Sequence, residues 1–223
     1  MDKKEFYRLN LPHFQQPGQA YFVTWSLKDA VPIKALITHS RQLQDISSKL
    51  DFAIKNKKDN LEIEDLLFQY RIARKKYIVA FDNILDTEPT SGIDLSIPEL
   101  TKSIKDTLLF FEAAKIENHA FSIMPNHVHW VFTTLKKDSE QKPVYLQDIL
   151  QSVKRFSANK INNLLGRKGN IWQKESFDTT IRDDKHLHNA IEYTINNPVK
   201  AGLAKNWQDW NGNWVKHSGE MVG

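Results

Sequence analysis

The sequence predicts an α+β domain whose mainly antiparallel sheet carries helices on its faces. Three observations predict it. Residues 120–133, AFSIMPNHVHWVFT, read as two apolar strands around a Met-Pro-Asn turn, short enough to make a hairpin. Residues 21–25, YFVTW, have the aromatic and β-branched composition of another strand. Between and beyond them lie long stretches whose apolar residues recur at helical spacing.

Taken in order, residues 9–27 begin with a proline-punctuated lead-in and turn at Pro17-Gly18. The strand that follows alternates Tyr21, Val23 and Trp25 with Phe22 and Thr24, as one face against helices requires. Residues 37–85 read as two helices broken near Lys57-Lys58-Asp59-Asn60. Leu43, Ile46, Leu50 and Ile54 mark the first stripe; Leu61, Ile63, Leu66, Leu67, Tyr70, Ile78, Phe81 and Leu85 mark the second. This pair is near charge balance and reads as a scaffold or helical insertion. A breaker-rich loop at 87–98 leads to a helix from Pro98 to about Ala114, with proline at its first turn.

After the hairpin, a polar connection at 136–143 precedes a helix at 145–165 that Gly166 closes. Residues 171–182 read as a further strand. The last helix, 183–197, takes Asp183 or Asp184 as its N-cap and is stopped by Pro198 and Gly202. The tail, 206–223, has three tryptophans and no periodicity. This succession suits a ferredoxin-like (RRM-like) layout within one domain spanning residues 1–223.

The composition narrows the function. A chain of 223 residues buries one core with room for an elaboration. With no cysteine, disulfides and thiolate zinc sites are excluded. No apolar run approaches the roughly 20 residues of a membrane span. MDKKEFYRLN lacks a signal peptide's apolar stretch, so a cytoplasmic location is expected, at the nucleoid when bound to DNA. Residues 141–205 hold eleven Lys/Arg against six Asp/Glu, leaving the remainder at about −1 of the net +4. Such clustering suits a polyanion surface, or simply a solvated face.

On a strand, His127 and His129 point the same way, while Val128 and Trp130 point oppositely. A lone His-x-His is commonly a hydrogen-bonded pair; two neutral imidazoles can equally grip one divalent ion. Tyr193 and Asn197, four apart, share a face of the last helix. Singly they read as a buried tyrosine and a C-cap before proline. Converging on the histidines, they make three metal ligands and a hydroxyl nucleophile. A tyrosine with a pKa of roughly 10 is a poor nucleophile at neutral pH, and a metal on the scissile phosphate compensates. Attack by Tyr193 gives a 5′-phosphotyrosine and a free 3′-hydroxyl, keeping the phosphodiester's energy for rejoining without ATP.

MPNHVHWVF and AIEYTINNPVKAGL together resemble the REP-associated tyrosine transposases, a branch of the single-tyrosine transposases in the HUH nuclease superfamily. LPHFQQPGQAYFVTWSL is similar to the family's opening strand, and FSANKINNLLGRKGNIWQKESFDTTIR to its segment between the two motifs. The resemblance implies an HUH-nuclease-type fold that cleaves and rejoins single-stranded, hairpin-bearing DNA, with Mg²⁺ or Mn²⁺ as cofactor. It puts the metal on His127, His129 and Asn197 and the nucleophile on Tyr193. Lys154, Arg155, Arg167, Lys168, Lys174 and Arg182 become the DNA-binding candidates, and Trp172 a base-stacking or core residue. Relatives act as homodimers that exchange the tyrosine helix, or alone. Thr179 stands after Asp178 where many relatives have histidine, and the insertion at 37–85 is longer than compact members need. The chief rival is a domesticated, non-cleaving DNA-binding regulator. Relaxases, replication initiators and hydrolysis with water as nucleophile are the others.

Overall fold

The computed structural model describes residues 6–8, 12–28, 30–31, 37–86 and 92–216. Three sequence-predicted stretches, 9–11 of the lead-in, 87–91 of the breaker loop and 217–223 of the tail, lie outside them. The chain forms two compact units, one of residues 1–30 and 91–223 and one of residues 31–90.

The smaller unit is a helical hairpin of α1 (Ile37–Lys55) and α2 (Asn60–Leu85), joined where Lys57 turns at a φ of 50°. Leu43, Ile46, Tyr70, Phe81 and Leu85 are buried, as the helical stripes predict. Ile54 and Leu61, counted in those stripes, are instead exposed.

In the larger unit, β1 (Phe6–Arg8) and β2 (Pro12–Phe14) form a small ribbon apart from the main sheet. The main sheet comprises β3 (Ala20–Ser26), β4 (Ile116–Ile123), β5 (His127–Thr134), β6 (Phe177–Thr180) and β7 (Asn213–Val215). Its order is β6-β3-β5-β4-β7, and every pairing is antiparallel. Three helices complete the unit: α3 (Pro98–Leu109), α4 (Leu146–Leu164) and α5 (Asp184–Lys200).

Period-2 alternation divides the strands into two unlike faces. Tyr21, Val23, Trp25, Val128, Trp130 and Phe132 are fully buried on the side of α3 and α4. There Trp25 meets Trp130 and Trp172 edge-on, with ring centres 6.1 and 6.0 Å apart. A bulge at His119 puts Asn118 opposite Phe132 and Phe121 opposite Trp130, so both join this face. The other face carries Phe22, Thr24, His127, His129 and Val131. It lies under α5, whose Leu187, Ala190 and Ile191 pack on Val131 and Phe22.

Several boundaries differ from the sequence reading. α3 ends at Leu109 rather than near Ala114, because the chain reverses through Ala113 (φ 58°) to start β4. Of the strand expected over 171–182 only Phe177–Thr180 forms, with one isolated bridge between Trp172 and Leu27. α5 continues through Pro198 to Lys200. The proline removes one N–H, yet the following turn closes: Ala201 N–H donates to Asn197 O, and Leu203 N–H to Pro198 O, both at 2.9 Å. The tail, read as aperiodic, forms a 3₁₀ turn (Trp207–Asp209) and β7, whose Trp214 stacks on Phe121 at 5.3 Å. Gly212 makes this docking possible, since a Cβ there would lie 2.2 Å from the carbonyl oxygen of Ile123.

Candidate active site

β5 delivers the histidines because it follows a tight turn in the middle of the sheet, with β3 on one side and β4 on the other. In that register His129 lies between Thr24 and Ser122, and His127 opposite Ser26. Small hydroxyl residues flank the imidazoles and leave the space above them open to α5. Both histidines are fully buried. Their Nε2 atoms stand 3.0 Å apart.

The outer ring nitrogens set the tautomers. His127 Nδ1 is 2.6 Å from the side-chain oxygen of Asn126, a hydrogen-bond acceptor. His129 Nδ1 is 2.8 Å from the Thr24 hydroxyl, which can accept likewise. In the tautomers whose Nδ1–H groups both donate outward, the two Nε2 lone pairs point at a common position. Burial pushes the His127 pKa well below its ordinary value and His129 to about 3, with the charge of Lys200 pushing the same way on both. The imidazoles are therefore neutral at pH 7, the form in which they ligate metal.

α5 supplies the rest. Asp183 caps it, its carboxylate accepting from His186 N–H at 2.7 Å. Tyr193, half-buried, meets His129 and Phe22 edge-on, with ring centres 5.5 and 5.7 Å apart. One turn on, Asn197 is only 1 % exposed. It does not sit at a frayed helix end, as the proline suggests, but inside the last turn. It is near enough to His127 to oppose the fall of that pKa, yet neither of its buried amide atoms has a partner in hydrogen-bond geometry. An orphaned carboxamide beside two imidazole nitrogens is a donor set that suits a cation. The 3.0 Å Nε2 separation also equals the spacing of adjacent ligands about 2.1 Å from an octahedral ion. The residues present fit a divalent metal. Among the described residues, no three His, Cys, Asp or Glu side chains gather as a metal site; the groups that meet here are two imidazoles and an amide.

No family model matches the chain. Over 137 residues, 58 % of this chain and 74 % of the relative, it is 27 % identical to a Haemophilus influenzae protein provisionally named a REP-associated tyrosine transposase. Over 94 residues, 42 % of this chain, it is 30 % identical to the REP-associated tyrosine transposase of Escherichia coli. The chain is thus similar to two proteins named as REP-associated tyrosine transposases. Its match spans about half (51 %) of the Escherichia coli relative's length. A solved structure of a REP-associated tyrosine transposase bound to a REP hairpin matches 96 % of this chain and 82 % of that one, at 18 % identity and a TM-score of 0.46.

Of the six basic candidates, Lys154, Arg155 and Lys174 line a common groove between α4 and the segment after it, and Arg167, Lys168 and Arg182 are exposed. The ammonium of Lys154 is already engaged, donating to the carbonyls of Lys174 and Glu175 and to the Ser176 hydroxyl at 3.1–3.3 Å. Trp172 proves to be core: it is 7 % exposed, and its indole N–H donates to Ser157 at 2.9 Å. Sequence reasoning missed Lys200, whose Nζ stands 5.9 Å from the centre of the Tyr193 ring. Helical spacing could have found it, since it lies three residues after Asn197 and seven after Tyr193. Thr24 and Asn126, which set the imidazole tautomers, carry no comparable signal.

Proposed function

We propose that the chain is a metal-dependent transposase that cleaves and rejoins single-stranded, hairpin-bearing DNA through a 5′-phosphotyrosine at Tyr193. The observation that carries this reading is Asn197, buried with both amide atoms unpartnered beside His127 and His129 and one turn from Tyr193. The relatives' names point to the same activity. The order β6-β3-β5-β4, with α3 and α4 connecting strands in the larger unit, supports a ferredoxin-like core as the frame.

His127, His129 and the amide oxygen of Asn197 would hold the ion, Mg²⁺ or Mn²⁺. Bound there, it supplies the charge that polarises the scissile phosphate and offsets charge on the leaving oxygen. The chain's own residues do the remainder. Phe22 and His129 hold the Tyr193 ring edge-on, which restricts where its hydroxyl can travel. Lys200 brings a cation to the same side, favouring an approaching phosphodiester. The Tyr193 oxygen forms the new bond to phosphorus, the bond to the 3′ oxygen breaks, the phenol loses its proton and the released 3′ oxygen gains one. Reversal by a second 3′-hydroxyl rejoins the strand. Tyr193, His127, His129 and Asn197 come together within one chain, which supports action in cis.

The test is incubation of wild type, Tyr193→Phe and His127→Ala/His129→Ala with labelled single-stranded hairpin DNA taken from sequence flanking the gene. Mn²⁺ or Mg²⁺ is added and the products are run on a denaturing gel. Wild type should give a metal-dependent protein–DNA adduct that both variants lose entirely. Cleavage persisting in Tyr193→Phe would make water the nucleophile and end the transposase reading. Binding without cleavage would leave the regulator.

A further inference from the structure

The helical hairpin carries a surface that its own packing leaves uncovered. On one side of α2 lie the buried Tyr70, Ala73 and Phe81. On the opposite side Leu61, Phe68, Ile72 and Val79 are 73, 59, 42 and 50 % exposed. At about 100° per residue these four fall within about 40° of one another, in a single straight stripe. From Leu61 to Val79 the stripe runs about 27 Å along the helix. One exposed leucine is ordinary, but four large apolar side chains in a row mark an interaction surface.

The charges beside the stripe are divided along its length. Residues 59–65 contain Asp59, Glu62, Glu64 and Asp65 and no Lys or Arg. Residues 71–76 contain Arg71, Arg74, Lys75 and Lys76 and no Asp or Glu. The helix dipole favours such a division only within the first and last turns, and Lys76 stands more than two turns before the end of α2 at Leu85. Pairing within the helix does not account for it either. Glu64, Asp65, Lys75 and Lys76 each lack an opposite charge three or four residues away.

The pattern is complementary to itself. Asp65 and Lys76 border one edge of the stripe and Glu64 and Lys75 the other, all four exposed. In an antiparallel helix pair each edge faces the same edge of the second helix. With a two-fold axis level with Tyr70, Leu61 meets Val79 of the partner subunit and Phe68 meets Ile72 of the partner subunit. The same register sets Asp65 against Lys76 of the partner subunit and Glu64 against Lys75 of the partner subunit, each contact occurring twice by symmetry. A parallel pair in register would set acid on acid and base on base.

We infer that α2 is a self-recognition surface on which a second copy of this chain docks antiparallel. The apolar stripe supplies the attraction, while the exposed charges, worth little singly, select the orientation. One helix face is small beside a standard protein interface, so the dimer is weak and forms in the micromolar range. The association uses α2 alone and requires no exchange of α5 between copies.

The test is sedimentation velocity of the full chain from about 1 to 200 µM. Wild type should pass from monomer to dimer across this range. Glu64→Lys/Asp65→Lys leaves both edges basic, and Lys75→Glu/Lys76→Glu leaves both acidic; each should weaken self-association by about tenfold or more. An equimolar mixture of these two variants should dimerise again, as should the variant carrying all four substitutions. Phe68→Ser/Ile72→Ser should stay monomeric, with circular dichroism and melting curves showing that each variant is folded. A wild type that is monomeric at every concentration would overturn the inference and leave the face to a different partner. A dimer indifferent to both charge reversals, or a mixture that fails to associate, would overturn it equally. With neither DNA nor metal present, none of these outcomes depends on the transposase reading.

Discussion

Two asparagines are buried on opposite faces of the same sheet, and their surroundings differ. Asn118, on the α3 side, is fully inaccessible and fully employed. Its amide donates to Glu112 Oε2 at 2.7 Å and Leu108 O at 3.3 Å, and its oxygen accepts from the Trp130 indole at 2.6 Å. Asn197, on the α5 side, is almost as deeply buried, and its amide atoms adjoin His127 without a partner in hydrogen-bond geometry. Burying a polar group without a partner costs free energy, so Asn118 explains itself through the structure it completes and Asn197 does not. Asn118 is satisfied by its own neighbours; the Asn197 carboxamide stands beside the histidines instead.

Replacing the employed asparagine gives the largest expected effect on stability. Asn118→Leu strands the Trp130 indole N–H and removes two donors from Leu108 and Glu112, at a cost of about 2–4 kcal/mol in urea unfolding. A variant as stable as wild type would erase the contrast. The next effect comes from acid. His127 and His129 are held below their ordinary pKa when folded, so they stay neutral there while the unfolded chain takes up protons below about pH 6.5. Their contribution is complete above that value and drains as pH falls toward the folded pKa of His129, about 3. His129 should lose on the order of 1 kcal/mol by pH 5.5, with His127 adding in the same direction. Unfolding midpoints of wild type and of a His127→Leu/His129→Leu variant between pH 7.5 and 5.5 measure this. Equal slopes would refute it. The smallest effect has the opposite sign. Asn197→Leu should raise metal-free stability by about 1 kcal/mol and abolish any Mn²⁺-induced rise in melting temperature. A metal response that survives this substitution would remove Asn197 from the ligand set.

Much of this contrast was legible in the sequence where periodicity carries it. The alternation of His127, Val128, His129 and Trp130 assigns each residue to its face, and i, i+4 spacing places Tyr193 with Asn197. The bulge at His119 was not legible, because one extra residue in a strand leaves no trace in the alternation of an apolar stretch that is buried on both sides. β7 was missed because three residues carry no period; its edge is defined by contact with β4. Pro198 misled, since local preference ends a helix there while packing of α5 on Phe22 and Val131 carries it one turn further. Charge counting could not see that Lys154 is consumed by the carbonyls of the neighbouring segment.

The tight seat of Gly212 against Ile123 bears on how copies of this chain can assemble. A strand whose outer hydrogen-bonding groups are free is a template on which another molecule's strand can grow. β4, which leads into the histidine turn, would be such a template, and β7 occupies it over Ala120, Phe121 and Ser122. Over that stretch the strand presented outward is only three residues long, and the opposite border, β6, has four residues. Merging of two sheets into one is thereby disfavoured at both borders, and the histidine hairpin is kept from becoming a seed for fibrils.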